Sequence, residues 1–336
     1  MHKAIYLSLG APHLEYPGVE AALRAEGVEA RMVHIDAFEA LDLEDVDLVN
    51  LRMCRWYHKD PAFRQRVENV HRRLQQVRRG PVPMANPLPL VIDALDKGRY
   101  LRKLGQDGIE LIPTRWIDKG TAFNLSHLME EQGWTDVVVK PTISSGSWNT
   151  IRVSRRGPSL DEHHFVLEGD AFAREGDLAA LAQTHDLIVQ PFLPSVLEFG
   201  ELSFVFLGGR LSHTVRKTVG AGGWWAHERL GGCNFRWTPS PRDEAWAVRV
   251  NDALERRYGP LWFARVDGIH TGDGRIQLLE CELAIPRLLL QEGQAFGTYA
   301  RVIAEGIRRV KAAGGTRAVP ETPAAAVPAV AGAAVA

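Results

Sequence analysis

The chain is poor in the features that would place a protein outside the cell, in a membrane or on nucleic acid. Its 336 residues include three cysteines, Cys54, Cys233 and Cys281. That number is odd and no CxxC spacing occurs, which excludes a disulfide framework and a cysteine-rich zinc site and leads us to expect a reducing, cytoplasmic setting. No apolar run reaches the ~18 residues of a membrane span, and the N-terminal stretch has neither the apolar core nor the small-residue cleavage site of a signal peptide. An excess of one charge is missing too. With 40 Lys+Arg against 41 Asp+Glu, nothing draws the chain to nucleic acid or an anionic membrane, so the expected partners are small molecules. We find no defensible Ser-His-Asp or Cys-His arrangement, and no internal repeat.

What is present is organised in units. Single cores stop growing near ~250–300 residues, so two or three domains are expected. AIYLSLG, a helical stretch from Val19 to Glu26 and VEARMVHI form a β-α-β unit, which DLVNLRM continues as a third strand. Residues 61–79 carry Phe63, Val67, Val70, Leu74 and Val77 at helical spacing, and Gly80-Pro81 ends that helix. Residues 1–92 therefore read as a small parallel α/β domain. Residues 93–190 follow as a lobe with a helix from Leu88 to Leu104 leading in and strands in ELIPTRWI, DVVVK, IRVS, HFVLEG and DLIVQPFL. Residues 191–312 hold two hairpins, LSFVFLGGRLSHTVRK and FARVDGIHTGDGRIQLLECEL, and a closing helix from Tyr299 to Lys311. The Pro/Ala-biased tail, 313–336, lacks the apolar bulk to repay ordering and is expected to be disordered.

Three constellations can carry chemistry. Lys140 ends an apolar strand and precedes Ser144, Ser145, Gly146 and Ser147, the reverse of a P-loop, whose glycines come before its lysine. In the second hairpin, an Asp273-Gly274 turn pairs Asp267 with Glu280 and Arg265 with Glu282. On that reading Ile276 and Leu278 share a face with the two glutamates, which would place acids on an inward surface where they shift toward protonation unless a cation neutralises them; the alternative is a solvated acidic hairpin partly balanced by Arg265. Oxygen ligands at this density suit magnesium. In the first hairpin, a Gly208-Gly209 turn sets Glu201 opposite Arg216. Other signals read as structural: the arginines of 61–79 as a solvated helix face, and His163-His164 as lacking ligand spacing. Cys54 has Arg52 and Arg55 nearby, which would lower its pKa, but no base partner. The tryptophans of 220–237 suit either a lid or the anchoring of a long loop.

Taken in order, LDKGRYL, the strand-end lysine with its small-residue loop, IVQPFL, GELSFVF, HTVRK, ARVD and LECELAIP resemble the ATP-grasp superfamily. Within it, NLRMCRWY, VQPFLPSV and HERLGG look most like the O-ureido-serine cyclo-ligase branch of cycloserine biosynthesis. The resemblance implies an α/β domain followed by two α+β lobes that sandwich ATP, and a ligase that joins a carboxylate to an amine through an acylphosphate. It implies that Lys97 and Lys140 hold phosphates, that Ser144, Ser145, Gly146 and Ser147 cover them, and that Gln190, Phe192 and Leu193 receive adenine. Glu201 then takes the ribose, Arg216 or Lys217 a phosphate or substrate, and Arg265 the transferring phosphoryl group. Asp267, Glu280 and Glu282 match ligands for two magnesium ions, and Arg52, Gly232 and Arg287 are candidates for the substrate. Family habit implies a homodimer. Ile285 stands where cyclo-ligase relatives carry an acid, which points to a different substrate. Intramolecular cyclisation, and a nucleotide-binding regulatory protein with a dead site, are the alternatives.

Overall fold

A computed structural model describes residues 1–10, 14–156, 159–164, 175–228 and 231–314. Most of the expected HFVLEG strand, and all but two residues of the 313–336 tail, lie outside them. The first sheet has the order β2-β1-β3-β4, built from β1 (His2–Leu9), β2 (Val28–His34), β3 (Leu48–Cys54) and β4 (Met84–Ala85), paired in parallel. Both faces are covered, so β1 is a continuous apolar run rather than an alternating one. Ala4 and Tyr6 face α1 (Tyr16–Ala25) and the final helix, while Ile5 and Leu7 face α2 (Phe63–Gln75). The expected helix from Leu88 to Leu104 is two, α3 (Leu88–Ala94) and α4 (Lys97–Gln106), because Asp96 breaks the run and caps the second through Gly98 N, 2.8 Å away.

The second sheet, β5-β9-β6-β7-β8, is antiparallel, with β5 (Arg115–Ile117), β6 (Asp136–Pro141), β7 (Ile151–Arg156), β8 (Ser159–His164) and β9 (Leu187–Pro191). Val137, Val139, Leu187 and Val189 pack beneath α5 (Leu125–Gln132) and α6 (Glu175–Thr184). Alternation turns Val138, Lys140 and Gln190 to the other face. After the short α7 (Ser195–Glu198), the third sheet runs β12-β11-β10-β13-β14, from β10 (Glu201–Leu207), β11 (Arg210–Thr218), β12 (Cys233–Trp237), β13 (Phe263–His270) and β14 (Ile276–Glu282). Its back rests on α4 and on α8 (Pro241–Tyr258), a helix we did not anticipate although Ser240, Pro241 and Asp243 spell its start. The last helix, α9 (Phe296–Ala312), returns to the first sheet. Among the described residues no helix is long and apolar enough to cross a membrane.

Asn86 joins the first sheet to the third. It is fully buried, donates to Phe263 O and Leu283 O at 2.8 Å each, and accepts from Trp262 N at 2.8 Å, so it pins the start of β13 and the end of β14. Replacing it with leucine leaves three main-chain groups without partners in the interior. The expected loss is at least about 2 kcal/mol of stability, read by urea denaturation.

Candidate active site

A cleft lies between the second and third sheets, and its lining changes character from end to end. One end is apolar, formed by Ile112, Val138, Phe192, Leu193, Val196 and Ile269. Trp224 stands edge-on to Phe192 at 6.1 Å and stacks on Trp225 at 3.8 Å, so the indole pair belongs to this wall. Trp237 does not; it packs on Phe199. The other end is charged, with Lys97, Lys140, Ser144 to Ser147, Glu280 and Glu282. Glu201 lies on the same lining.

Lys140 is 7 % exposed, and its ammonium has no hydrogen bond or ion pair among the described residues. Burial lowers its pKa, and Glu280 only partly opposes the shift. Lys97 occupies the first turn of α4, where the positive end of the helix disfavours a cation. Its ammonium donates to Ser144 O at 2.6 Å and lies 3.9 Å from Glu280 Oε2. Ser144 is itself anchored by a bond from its hydroxyl to Pro141 O at 3.0 Å.

The loop after Lys140 is clasped by the residues that follow β3. Gly146, Ser147 and Asn149 all have positive φ, which lets the chain fold back tightly. Ser145 Oγ lies 2.8 Å from His58 Nδ1, the His58 ring packs on Trp148 at 4.9 Å, and Trp56 lies against Gly146. His58 lies just beyond NLRMCRWY and belongs to no motif, so nothing in the sequence announced its contact with Ser145.

The acidic hairpin has the expected partners by an unexpected route. Arg265 pairs with Glu282 and Asp267 with Glu280, but His270 pairs with Ile276, so residues 271–275 form the loop instead of a two-residue turn. A bulge at Leu279 restores the register. It also reverses the facing: Ile276 and Leu278 enter the core against α8, while Leu279, Glu280 and Glu282 line the cleft. The expectation that the glutamates share a face with Ile276 and Leu278 is therefore corrected. Asp267 is wholly buried and does not line the cleft. It accepts from Arg265 at 2.7 and 2.9 Å, Ser203 at 2.7 Å and Lys217 at 3.2 Å. Burial opposes its charge, yet Arg265 and Lys217 outweigh burial and hold the carboxyl well below the usual range. Glu280 likewise has burial against it, outweighed by Lys97 and Lys140. Glu282 ends raised by burial despite Arg265. Among the described residues no three His, Cys, Asp or Glu side chains gather closely enough to form a metal cage. A two-carboxylate set still suits magnesium, which takes its other oxygens from phosphates and water.

In the other hairpin Gly208 and Gly209 do form the turn, both with positive φ, but a bulge at Ser212 moves the register by one. Glu201 therefore faces Lys217, with Nζ 2.9 Å from Oε2. Arg216 projects to the opposite face, over Phe199 and Trp237, and does not reach the cleft. Burial raises the Glu201 pKa, with Lys217 pulling the other way.

A second pocket adjoins the charged end, lined among others by Arg55, Trp56, His227, Arg265, Glu282 and Arg287. Two of the three substrate candidates lie away from both pockets. Arg52 is 1 % exposed, paired with Glu15 and bonded to Pro286 O at 3.1 Å, so it braces the chain after β14 from below. Gly232 packs against Thr218 O and His227, where a Cβ would collide. Arg287 lines the second pocket, but Glu228 and Glu292 already hold its guanidinium, which ties Glu228 to the chain after β14. Cys54 is buried beside Leu7 O, and burial pushes its thiol up, which overturns the expectation that nearby arginines lower it.

Three sheets in this order, with a cleft between the last two, define the ATP-grasp fold, and solved structures agree. D-alanine–D-alanine ligase from Bacillus anthracis, solved with ATP, has a TM-score of 0.60 at 15% identity over 93% of this chain and 99% of that one. The ATP-grasp ligase PsnB, solved with magnesium, ADP and a precursor variant, scores 0.60 at 14% identity over 90% and 98%. The particular likeness is to a cycloserine enzyme: the cycloserine biosynthesis protein DcsG of Streptomyces lavendulae is 28% identical over 264 residues, 74% of this chain and 77% of that protein. The crystal structure of D-cycloserine synthetase DcsG has a TM-score of 0.73 at 23% identity, covering 91% and 99%. No protein-family model matches the sequence.

Proposed function

We propose that this chain is an ATP-dependent carboxylate–amine ligase acting on a small amino-acid-like substrate. The observation that carries the reading is Lys140, a buried lysine whose ammonium has no hydrogen bond or ion pair among the described residues, at the charged end of a cleft whose other end is apolar. A polyphosphate with an aromatic base is complementary to both ends at once. Adenine lies in the apolar end, and Glu201, steadied by Lys217, accepts from the ribose hydroxyls. Lys97 and Lys140 hold the phosphates beneath Ser144 to Ser147. Glu280 and Glu282 would hold magnesium, which when bound neutralises phosphate charge. A second ion would require Asp267 to be released from Arg265 and Lys217.

Arg265 faces the adjoining pocket, fixed by Asp267 and by Arg287 O at 2.6 Å, and steadies the carboxylate as its oxygen attacks the γ-phosphorus. ADP leaves and an acylphosphate forms. An amine then attacks the acyl carbon, phosphate leaves, and the nitrogen loses a proton. No protein nucleophile is required. The likeness to DcsG favours a second reading, in which the amine belongs to the same molecule. A phosphate-release screen over single amino acids, pairs of them and small acids, with mass spectrometry of any product, tests both. ADP and phosphate with an amide product is the expected result, and a single sufficient substrate identifies cyclisation. Release of AMP and pyrophosphate would overturn the mechanism.

A further inference from the structure

We propose that Thr114 fixes the amide of Gln190 so that the apolar end of the cleft presents an acceptor, and thereby selects a 6-aminopurine over a 6-oxopurine. The inference rests on the reading of the cleft as a nucleotide site. Gln190, on β9, is 3 % exposed and lines the cleft, while its neighbour Val189 enters the core on the opposite face. Its Nε2 lies 3.0 Å from Thr114 Oγ1, and Thr114 Oγ1 lies 2.6 Å from Ile112 O.

These two distances settle which end of the amide faces which way. A backbone carbonyl only accepts, so the hydroxyl hydrogen of Thr114 is spent on Ile112 O. At 2.6 Å, two oxygens without a hydrogen between them would repel. Only lone pairs remain on Oγ1 toward Gln190, and of the amide's two ends only the NH₂ can meet them. The orientation, invisible in the shape of the side chain, follows from these obligate roles. With the nitrogen turned to Thr114, Oε1 is the end left for a ligand, and it has no partner among the described residues.

A buried acceptor among Ile112, Val138 and Phe192 is matched by the exocyclic amine of adenine and opposed by the carbonyl oxygen of guanine. Thr114 is thus a positioning residue; it need not touch the base. The sequence reading placed Gln190 at the base but gave Thr114 no role, because the relay joins positions 76 residues apart.

The test is calorimetric titration of the full chain, in magnesium, with the non-hydrolysable analogues AMP-PNP and GMP-PNP, and needs no knowledge of the other substrate. The wild type is expected to favour AMP-PNP by at least about a hundredfold. Thr114→Val keeps the shape but frees the amide to turn. AMP-PNP should weaken, GMP-PNP strengthen, and their ratio narrow at least about tenfold. Thr114→Ser, which keeps the hydroxyl, should retain the wild-type ratio. If the valine variant does not fold, Gln190→Met provides the same readout, with its preference for adenine expected to collapse. An unchanged ratio in the variant measured, or no preference in the wild type, overturns the inference and leaves the nucleotide site standing. Failure of both analogues to bind the wild type overturns the nucleotide site itself.

Discussion

Replacing Lys140 with methionine is expected to cut AMP-PNP affinity by about tenfold to a hundredfold and ADP release by more, while the melting temperature stays level or rises. The two effects have one cause. In the ligand-free protein the ammonium has no hydrogen-bonding partner among the described residues, and burial pulls its pKa down with Glu280 opposing only in part, so the native state carries a cost that methionine removes. With nucleotide present the same desolvation strengthens each contact from the ammonium to phosphate oxygens, typically by ~1.5–3 kcal/mol for a charged hydrogen bond. The phosphoryl oxygens gain charge in the transition state, so turnover suffers more than binding. Lys97→Met should behave differently: its ammonium already holds Ser144 O, so its loss loosens the covering loop as well as the phosphate. A Lys140→Met protein that binds AMP-PNP like wild type would exclude Lys140 from the phosphates.

What was legible in the sequence was the chemistry borne by residue type and order. The lysine before SSGS and the acid pair on one strand of a hairpin do line one end of a shared cleft, because charge at the end of an apolar strand is expensive and so informative. What was not legible was geometry set by single-residue irregularities and distant partners. Bulges at Ser212 and Leu279 leave no mark in the residue pattern, yet one replaces Arg216 with Lys217 opposite Glu201 and the other turns Glu280 away from the face of Leu278. Arg52 looked like a substrate cation because Glu15, its buried counter-ion, is 37 residues away. The clasp of His58 on Ser145 spans 87 residues and uses ordinary residue types. The carboxylate pairing was anticipated correctly although the parity offered for it was wrong, since loop and bulge offset one another.

Glu280→Gln should lower turnover by about a hundredfold to a thousandfold and abolish most of the gain that magnesium gives to AMP-PNP binding, without weakening AMP-PNP measured in EDTA. Glu280 is placed to face both lysines: Lys97 is 3.9 Å away, and Lys97 and Lys140 together keep the carboxyl ionised against burial. In the ligand-free protein that charge partly offsets two ammonium groups, and on the proposed function it would serve as a metal oxygen ligand once nucleotide is bound. Glutamine keeps the shape and loses both roles. Freed of their competing acid, the lysines should hold metal-free polyphosphate at least as well as before, while the magnesium-dependent increment disappears. Asp267→Asn is the contrast, because Asp267 is committed to Arg265, Lys217 and Ser203. Its loss should appear first as lower stability and a displaced Arg265, since removing one partner of a buried pair strands the others. If the Glu280→Gln protein instead keeps its magnesium dependence, the metal lies elsewhere in the cleft.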